Sequence, residues 1–242
     1  MVYEQLSQLY EEKEMLAESI KNFKIAVSMV PEYKPHYDRL VELHSKYADA
    51  LKAENQAENG IEVLVNGIRF FKEELPNEPK VYRLLAKLGD LYISQNDFAS
   101  AAEALQEVTK IVPEKGHYRE KLSYIYVRAG QPELARSTLR ELLKIDKTNT
   151  YAYATIANIF LNQNEPNESE SVLREAIYDG VNSHTIQLEL AKALLAQDDD
   201  QKKEEATTIL KELERLAPQM REPATILSKI DSEVSADASA GK

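Results

Sequence analysis

Cysteine is absent from the 242 residues, which removes disulfides, zinc ribbons and thiol catalysis together. A reducing cytoplasm fits that absence without being required by it. No apolar run approaches the roughly 20 residues that cross a bilayer. The opening Met1-Val2-Tyr3-Glu4 has none of the features of a signal peptide. The expected location is cytoplasmic, or the soluble part of a membrane-anchored or exported protein. A basic stripe is missing too: 30 Lys and Arg against 41 Asp and Glu give a net charge of −11. A phosphate backbone or an anionic membrane surface would be repelled, so neither nucleic acid nor direct membrane insertion is expected. Seven glycines form no phosphate-cradling loop. Four histidines (His36, His44, His117, His184) form no i, i+4 metal pair and no HExxH, and there is no Gly-x-Ser-x-Gly elbow. His44 falls on the apolar stripe of its helix and reads as a packed histidine rather than a ligand. The chain is therefore expected to be no enzyme and to carry no cofactor, metal or catalytic site.

What is present is periodicity. Leu85, Leu88, Gly89 and Tyr92 fall at i, i+3, i+4 and i+7, one face of an amphipathic helix. Gln95-Asn-Asp interrupts the pattern. Ala101, Leu105, Val108 and Val112 then make a second stripe that ends at Pro113. Two apolar faces joined by a short polar break must meet, so the stretch is a helical hairpin. The pattern recurs. Tyr3, Leu6, Ser7 and Tyr10 pair with Ser19, Phe23 and Ala26; Leu122, Ser123 and Tyr126 with Ala135, Leu139 and Leu142. Tyr153, Ile156, Ala157 and Phe160 pair with Ser169, Leu173 and Ala176; Leu190, Ala191 and Leu194 with Ala206, Leu210 and Leu213. The small residue of each set (Ser7, Gly89, Ser123, Ala157, Ala191) is expected where helices cross closely, since a larger side chain would overpack the contact.

This pattern resembles the tetratricopeptide repeat: large residue, Leu-Gly, Tyr, then Ala, a large apolar residue and a closing Pro, at a period of 34 residues. The resemblance covers nearly the whole chain in about six repeats. It implies an all-α solenoid, a right-handed superhelix of antiparallel helix pairs. The expected units are 1–33, 34–81, 82–115, 116–149, 150–183 and 184–221, with a capping helix at 222–234 and a disordered tail at 235–242. Terminal repeats need a polar outer face, and a helix whose apolar residues make one narrow stripe of Ile226, Leu227, Ile230 and Val234 would leave one. At the other end Tyr3 is already inside the first helix. Either the chain has been trimmed there, or the first unit is expected to pack on another copy, a missing domain or a membrane anchor.

Two units break the period. Tyr37 and the matching Leu85 are separated by 48 residues, 14 more than one period. Either both helices are longer, projecting a tip near Glu54–Asn59, or half of the insertion follows the second helix at Glu73–Lys80; the first keeps Phe71 and Pro79 in register. In the sixth unit Asp198-Asp-Asp lengthens the turn. It lacks the alternating ligands, glycine and distal Glu of a calcium loop and is expected to be a mobile, solvated loop.

The resemblance also implies a concave groove lined by the first helix of each pair, where a peptide or partner helix lies. The expected groove residues are Asp90, Ile93, Tyr124, Val127, Tyr151, Asn158, Leu161 and Leu188, beside Arg83, Ala86 and Ala154. The first two units contribute Glu4, Glu11, Asp38 and Glu42, so the groove is expected to run from acidic to apolar and to suit a ligand with basic and apolar segments. The carboxylate clamp of chaperone-binding members is incomplete: Arg83 and Lys87 match one part of it, but Glu4, Gln8 and Arg39 stand where Lys, Asn and Asn are needed. The function expected is a non-catalytic protein–protein interaction module, an adaptor or assembly factor. The alternatives are a self-assembling scaffold, a homo-oligomer through the first repeat, or the regulatory region of a larger membrane-anchored or enzymatic protein.

Overall fold

The computed structural model describes residues 2–240, with side chains up to residue 232. Among the described residues there are thirteen helices and no strand. They are α1 (Val2–Glu12), α2 (Leu16–Met29), α3 (Pro35–Ala53), α4 (Ala57–Glu74), α5 (Val81–Ser94), α6 (Phe98–Ile111) and α7 (His117–Arg128). Then follow α8 (Pro132–Ile145), α9 (Thr150–Asn162), α10 (Pro166–Tyr178), α11 (His184–Leu195), α12 (Asp200–Leu216) and α13 (Arg221–Ala240). The fold is all-α, of the helical-repeat type. Contacts divide the chain into two compact units, one ending at Gly130 and one starting at Gln131.

In the first unit α1 packs on α2, α3 on α4 and α5 on α6, and α7 packs on α6. Within these hairpins the turns share one device. Glu14, Asn55 and Asn96 lie in the left-handed region (φ 61, 60 and 60), as does Asn164 (φ 61) between α9 and α10 in the second unit. After each of them the next amide donates to a carbonyl five residues back: Met15 to Tyr10, Gln56 to Leu51, Asp97 to Tyr92 and Glu165 to Phe160, at 2.8–3.0 Å. That bond satisfies a carbonyl which the end of the helix would leave orphaned. Asn tolerates the conformation; Glu14 does not share that tolerance.

The hairpin faces meet at the small residues. Gly89 is buried on α5, and a Cβ there would stand 3.2 Å from Leu105 Cγ and 3.7 Å from the Ala101 carbonyl, both on α6. In the first hairpin Ser7 and Ser19 are buried, their hydroxyls 2.9 Å apart, and Ser19 donates to the Ser7 carbonyl at 2.8 Å. The helices α3 and α4 run 19 and 18 residues against 14 for α5 and α6, with their turn at 54–56.

The second unit is built on α9/α10 and α11/α12, with α8 packed on α9 and α13 on α12. One apolar cluster runs through it from Leu139 and Leu142 to Tyr153, Ile156, Leu173, Leu190, Leu210 and Leu227. The buried Tyr153 donates from its hydroxyl to Asp179 Oδ2 at 2.7 Å; burial first, then that bond, holds the phenol well above its ordinary range. The three-aspartate run is part turn and part helix: Asp198 and Asp199 lie in the exposed turn between α11 and α12. Asp199 caps α12, accepting from the Gln201 and Lys202 amides at 2.9 and 3.0 Å, and Asp200 is the first helical residue. A carboxylate at a helix N-terminus satisfies orphan amides and the helix dipole at once, which favours order there. The helix α13 continues to Ala240, past the expected end at 234. Alanine and small polar residues at 235–240 sustain a helix where a disordered tail was expected. The last two residues of that expected tail lie outside the described residues.

Candidate functional site

The first helices of the first unit carry a ladder of ion pairs. On α1, Glu11 pairs with Arg39 and with Lys46 (2.9 Å) of α3. On α3, Asp38 pairs with Lys80 at the head of α5 (2.6 Å) and with Arg83 (3.1 Å), and Asp49 with Lys87 (2.6 Å). On α5, Asp90 pairs with Lys121 of α7 at 2.7 Å. In every rung the acid stands on the earlier helix and the base on the later one. On the second helices either order occurs: Lys72 of α4 meets Glu107 of α6 at 2.7 Å, while Glu170 of α10 meets Lys202 of α12 at 2.8 Å. In the second unit Arg140 of α8 meets Glu175 of α10 (2.8 Å), and Arg174 of α10 meets Glu205 of α12 (3.0 Å). Most of these groups are half exposed, so each pair contributes no more than about 1 kcal/mol. The ladders tie each helix to the corresponding helix of the next repeat.

The ladder changes what the expected site can do. The acids at the start of the groove already have partners within the chain. Glu4 is bonded to His36, which with other partners holds its carboxyl below the usual range, and Glu42 is paired with Arg39. Arg83 and Lys87, the clamp-like pair, are engaged by Asp38 and Asp49. A ligand with a basic end therefore finds no unpaired carboxylate among Glu4, Glu11, Asp38, Glu42, Asp49 and Asp90.

The apolar candidates fall into three groups. On α7, Tyr124 and Val127 are 46% and 42% exposed, one turn apart. Lys121 lies one turn before Tyr124, and the Arg128 guanidinium lies 5.5 Å from the Phe98 ring centroid. Ile93 on α5 is half-buried. On α9 in the second unit, Tyr151 is exposed and Asn158 half-buried on the same face, while Leu161 packs against the core cluster. Ala86 and Ala154 are buried. Leu188 is a correction: at 4% exposure it belongs to the core of the second unit and offers no surface. It shares its cluster with Leu227 of α13, and Lys192, four residues on, pairs with Glu222 of α13 at 2.6 Å.

With the geometry in place, comparison with known proteins agrees on the architecture. Residues 86–150 match the family model for the tetratricopeptide repeat. Among solved structures, the nearly identical TPR-like repeats of a Podospora anserina protein assigned as a kinesin light chain superpose with a TM-score of 0.56 at 17% identity, covering 77% of this chain and 98% of that one. YrrB, described as a TPR protein with an unusual peptide-binding site, gives 0.53 at 15% identity, covering 84% and 96%. Pseudomonas aeruginosa pilF gives 0.51 at 15%, covering 94% and 96%. At these identities the likeness is one of fold. Comparison with curated sequences gives no match.

Proposed function

From tetratricopeptide repeats as the fold, we propose that the chain is a non-catalytic protein–protein interaction module, an adaptor or assembly factor that holds a peptide or partner helix on the exposed faces of its first helices. The observation that carries this reading is the exposed Tyr124–Val127 pair on α7, flanked by cations already committed to other groups. Exposed apolar side chains grouped on one face mark contact surfaces more often than scattered ones do, and tyrosine combines a large apolar area with a polar tip. Tyr151 on α9 plays the same part in the second unit. Because the acidic residues are paired, the favoured ligand is apolar or aromatic rather than basic. Peptide binding in the same fold has a precedent in YrrB, a TPR protein with an unusual peptide-binding site.

The test is affinity capture from source-cell lysate with three folded baits: the unaltered chain, Tyr124→Glu/Val127→Glu, and Tyr151→Glu/Leu161→Glu. Circular dichroism confirms folding of each. Loss of partners with either variant supports the reading; identical partner sets from all three baits overturn it. Self-assembly is a second reading, favoured by exposed Val2, Met29, Val30 and Tyr33 on the first hairpin and its connection to α3. Light scattering over a concentration series decides it, since a strict monomer removes it.

A further inference from the structure

Between α2 of the first hairpin and α3 and α4 of the second lies a cleft of about 300 Å³. Its apolar surface comes from Ala17, Ile20, Tyr47 and Val63. At its inner side stands His44, 1% exposed. The ring is held by Gly67 of α4, where a Cβ would lie 2.6 Å from His44 Cδ2, so only a glycine lets α4 approach this closely. His44 Nδ1 lies 2.8 Å from the Leu40 carbonyl. A carbonyl can only accept, so the proton sits on Nδ1 and Nε2 presents a lone pair. That buried nitrogen has no hydrogen-bond partner. Burial, chiefly, lowers the imidazole pKa to about 4, so at neutral pH the lone pair is not protonated away.

At the cleft's edge are Lys21 and Lys24. In a chain of net charge −11 neither has a carboxylate partner among the described residues. Lys24 only approaches the Asn66 carbonyl at 3.5 Å and the Phe70 ring centroid at 5.1 Å. Burial first, then Arg69, lowers its pKa, the mark of a cation short of an anion. The cleft thus offers an apolar wall, one buried acceptor without a donor, and two cations without an anion. Its volume is at the lower end of small-molecule pockets, about 300–1,000 Å³, and about twice that of a cavity which holds benzene, roughly 150 Å³.

We propose that this cleft binds a small carboxylic acid with an aromatic or branched apolar body and one O–H or N–H donor. The body lies against Ala17, Ile20, Tyr47 and Val63, the donor bonds His44 Nε2, and the carboxylate meets Lys21 and Lys24. This site is separate from the Tyr124–Val127 and Tyr151 surfaces.

The test uses the whole chain and three probes in isothermal titration calorimetry: 4-hydroxyphenylacetate, its methyl ether 4-methoxyphenylacetate, which has no donor, and 4-hydroxyphenylacetamide, which has no charge. Saturable one-site binding of the first is expected at millimolar concentration or below. About tenfold weaker binding is expected for each of the others, the cost of leaving a buried polar group unpaired. Lys24→Met is expected to weaken the acid about tenfold and to leave the amide unchanged; Lys21→Met serves the same purpose should Lys24→Met fail to fold. The ¹⁵N resonance of His44 Nε2 is expected to shift with the acid and not with the methyl ether. Absence of saturable binding, equal binding of acid and methyl ether, or an unmoved His44 resonance overturns the proposal.

Discussion

Ser169 on α10 is 0% exposed, and its hydroxyl has no hydrogen-bond partner. The corresponding serine in the first hairpin, Ser19, is satisfied by Ser7 at 2.9 Å. In the fifth hairpin the place of Ser7 is taken by Ala157, which is fully buried and has nothing to offer. An unpaired buried hydroxyl costs about 1–3 kcal/mol, and alanine is also the better helix former by a few tenths of a kcal/mol. Loss of contacts around one oxygen offsets part of this. Ser169→Ala is therefore expected to stabilise the protein by about 1–2 kcal/mol, a rise in melting temperature of roughly 2–8 °C for a chain of this size. Urea unfolding followed by circular dichroism measures it, with an unchanged m-value required. The mirror test adds Ala157→Ser. In the natural background the new hydroxyl finds Ser169, as Ser7 finds Ser19, and costs little; in the Ser169→Ala background it is itself orphaned and costs about 1 kcal/mol or more. If Ser169→Ala destabilises by more than about 1 kcal/mol, the hydroxyl has a partner in solution and the reasoning fails.

Gly89→Leu is expected to cost about 1–3 kcal/mol by overpacking Leu105; unchanged thermal stability would show that α5 and α6 do not cross there. Glu14→Asn is expected to stabilise by about 0.5–1 kcal/mol, because it replaces a residue strained at φ 61 with the one used at the same turn position in three other hairpins. A loss of stability in thermal unfolding would count against that turn. Burial raises the Glu170 carboxyl, but bonds from Lys202 and Gln197 (2.8 Å each) and Arg174 (2.8 Å) outweigh it and bring its pKa to about 2 from an ordinary 4.5. A folded pKa below the unfolded one means stability that is complete above pH 4.5 and lost as the pH falls to about 2. Glu170→Gln should thus cost about 1–3 kcal/mol at neutral pH and almost nothing near pH 2, read from urea midpoints at both. A pH-independent difference would mean the carboxylate is not the group concerned.

The candidate surfaces were legible only in part. A period of about 3.6 residues says which side of a helix is apolar, so the stripe through Leu85, Leu88, Gly89 and Tyr92 and its partner at Ala101 and Leu105 could be read directly. The interruption between Tyr37 and Leu85 likewise has a counterpart in two longer helices. The same reading placed Leu188 on an outward face, because one helix considered alone cannot show that α13 shares its cluster. It read Glu11 and Asp38 as part of an acidic stretch of groove without their partners, which stand on the next hairpin, a full repeat away in sequence. The aspartate run carried the composition of a loop, yet Asp199 reads equally as a helix cap.

By itself the sequence determined what is local and repeated: helix type, the hairpin pairing within each unit, and the small residues where α1 meets α2 and α5 meets α6. These follow from the face geometry of a helix and need only neighbours a few residues apart. Tertiary structure alone decided which charges cancel across repeats, that Ser169 lacks the partner Ser19 has, and that His44 Nε2 is buried without a donor beside two cations. Those depend on the distance and angle at which helices meet, to within the length of a hydrogen bond, and periodicity specifies a face but not that distance.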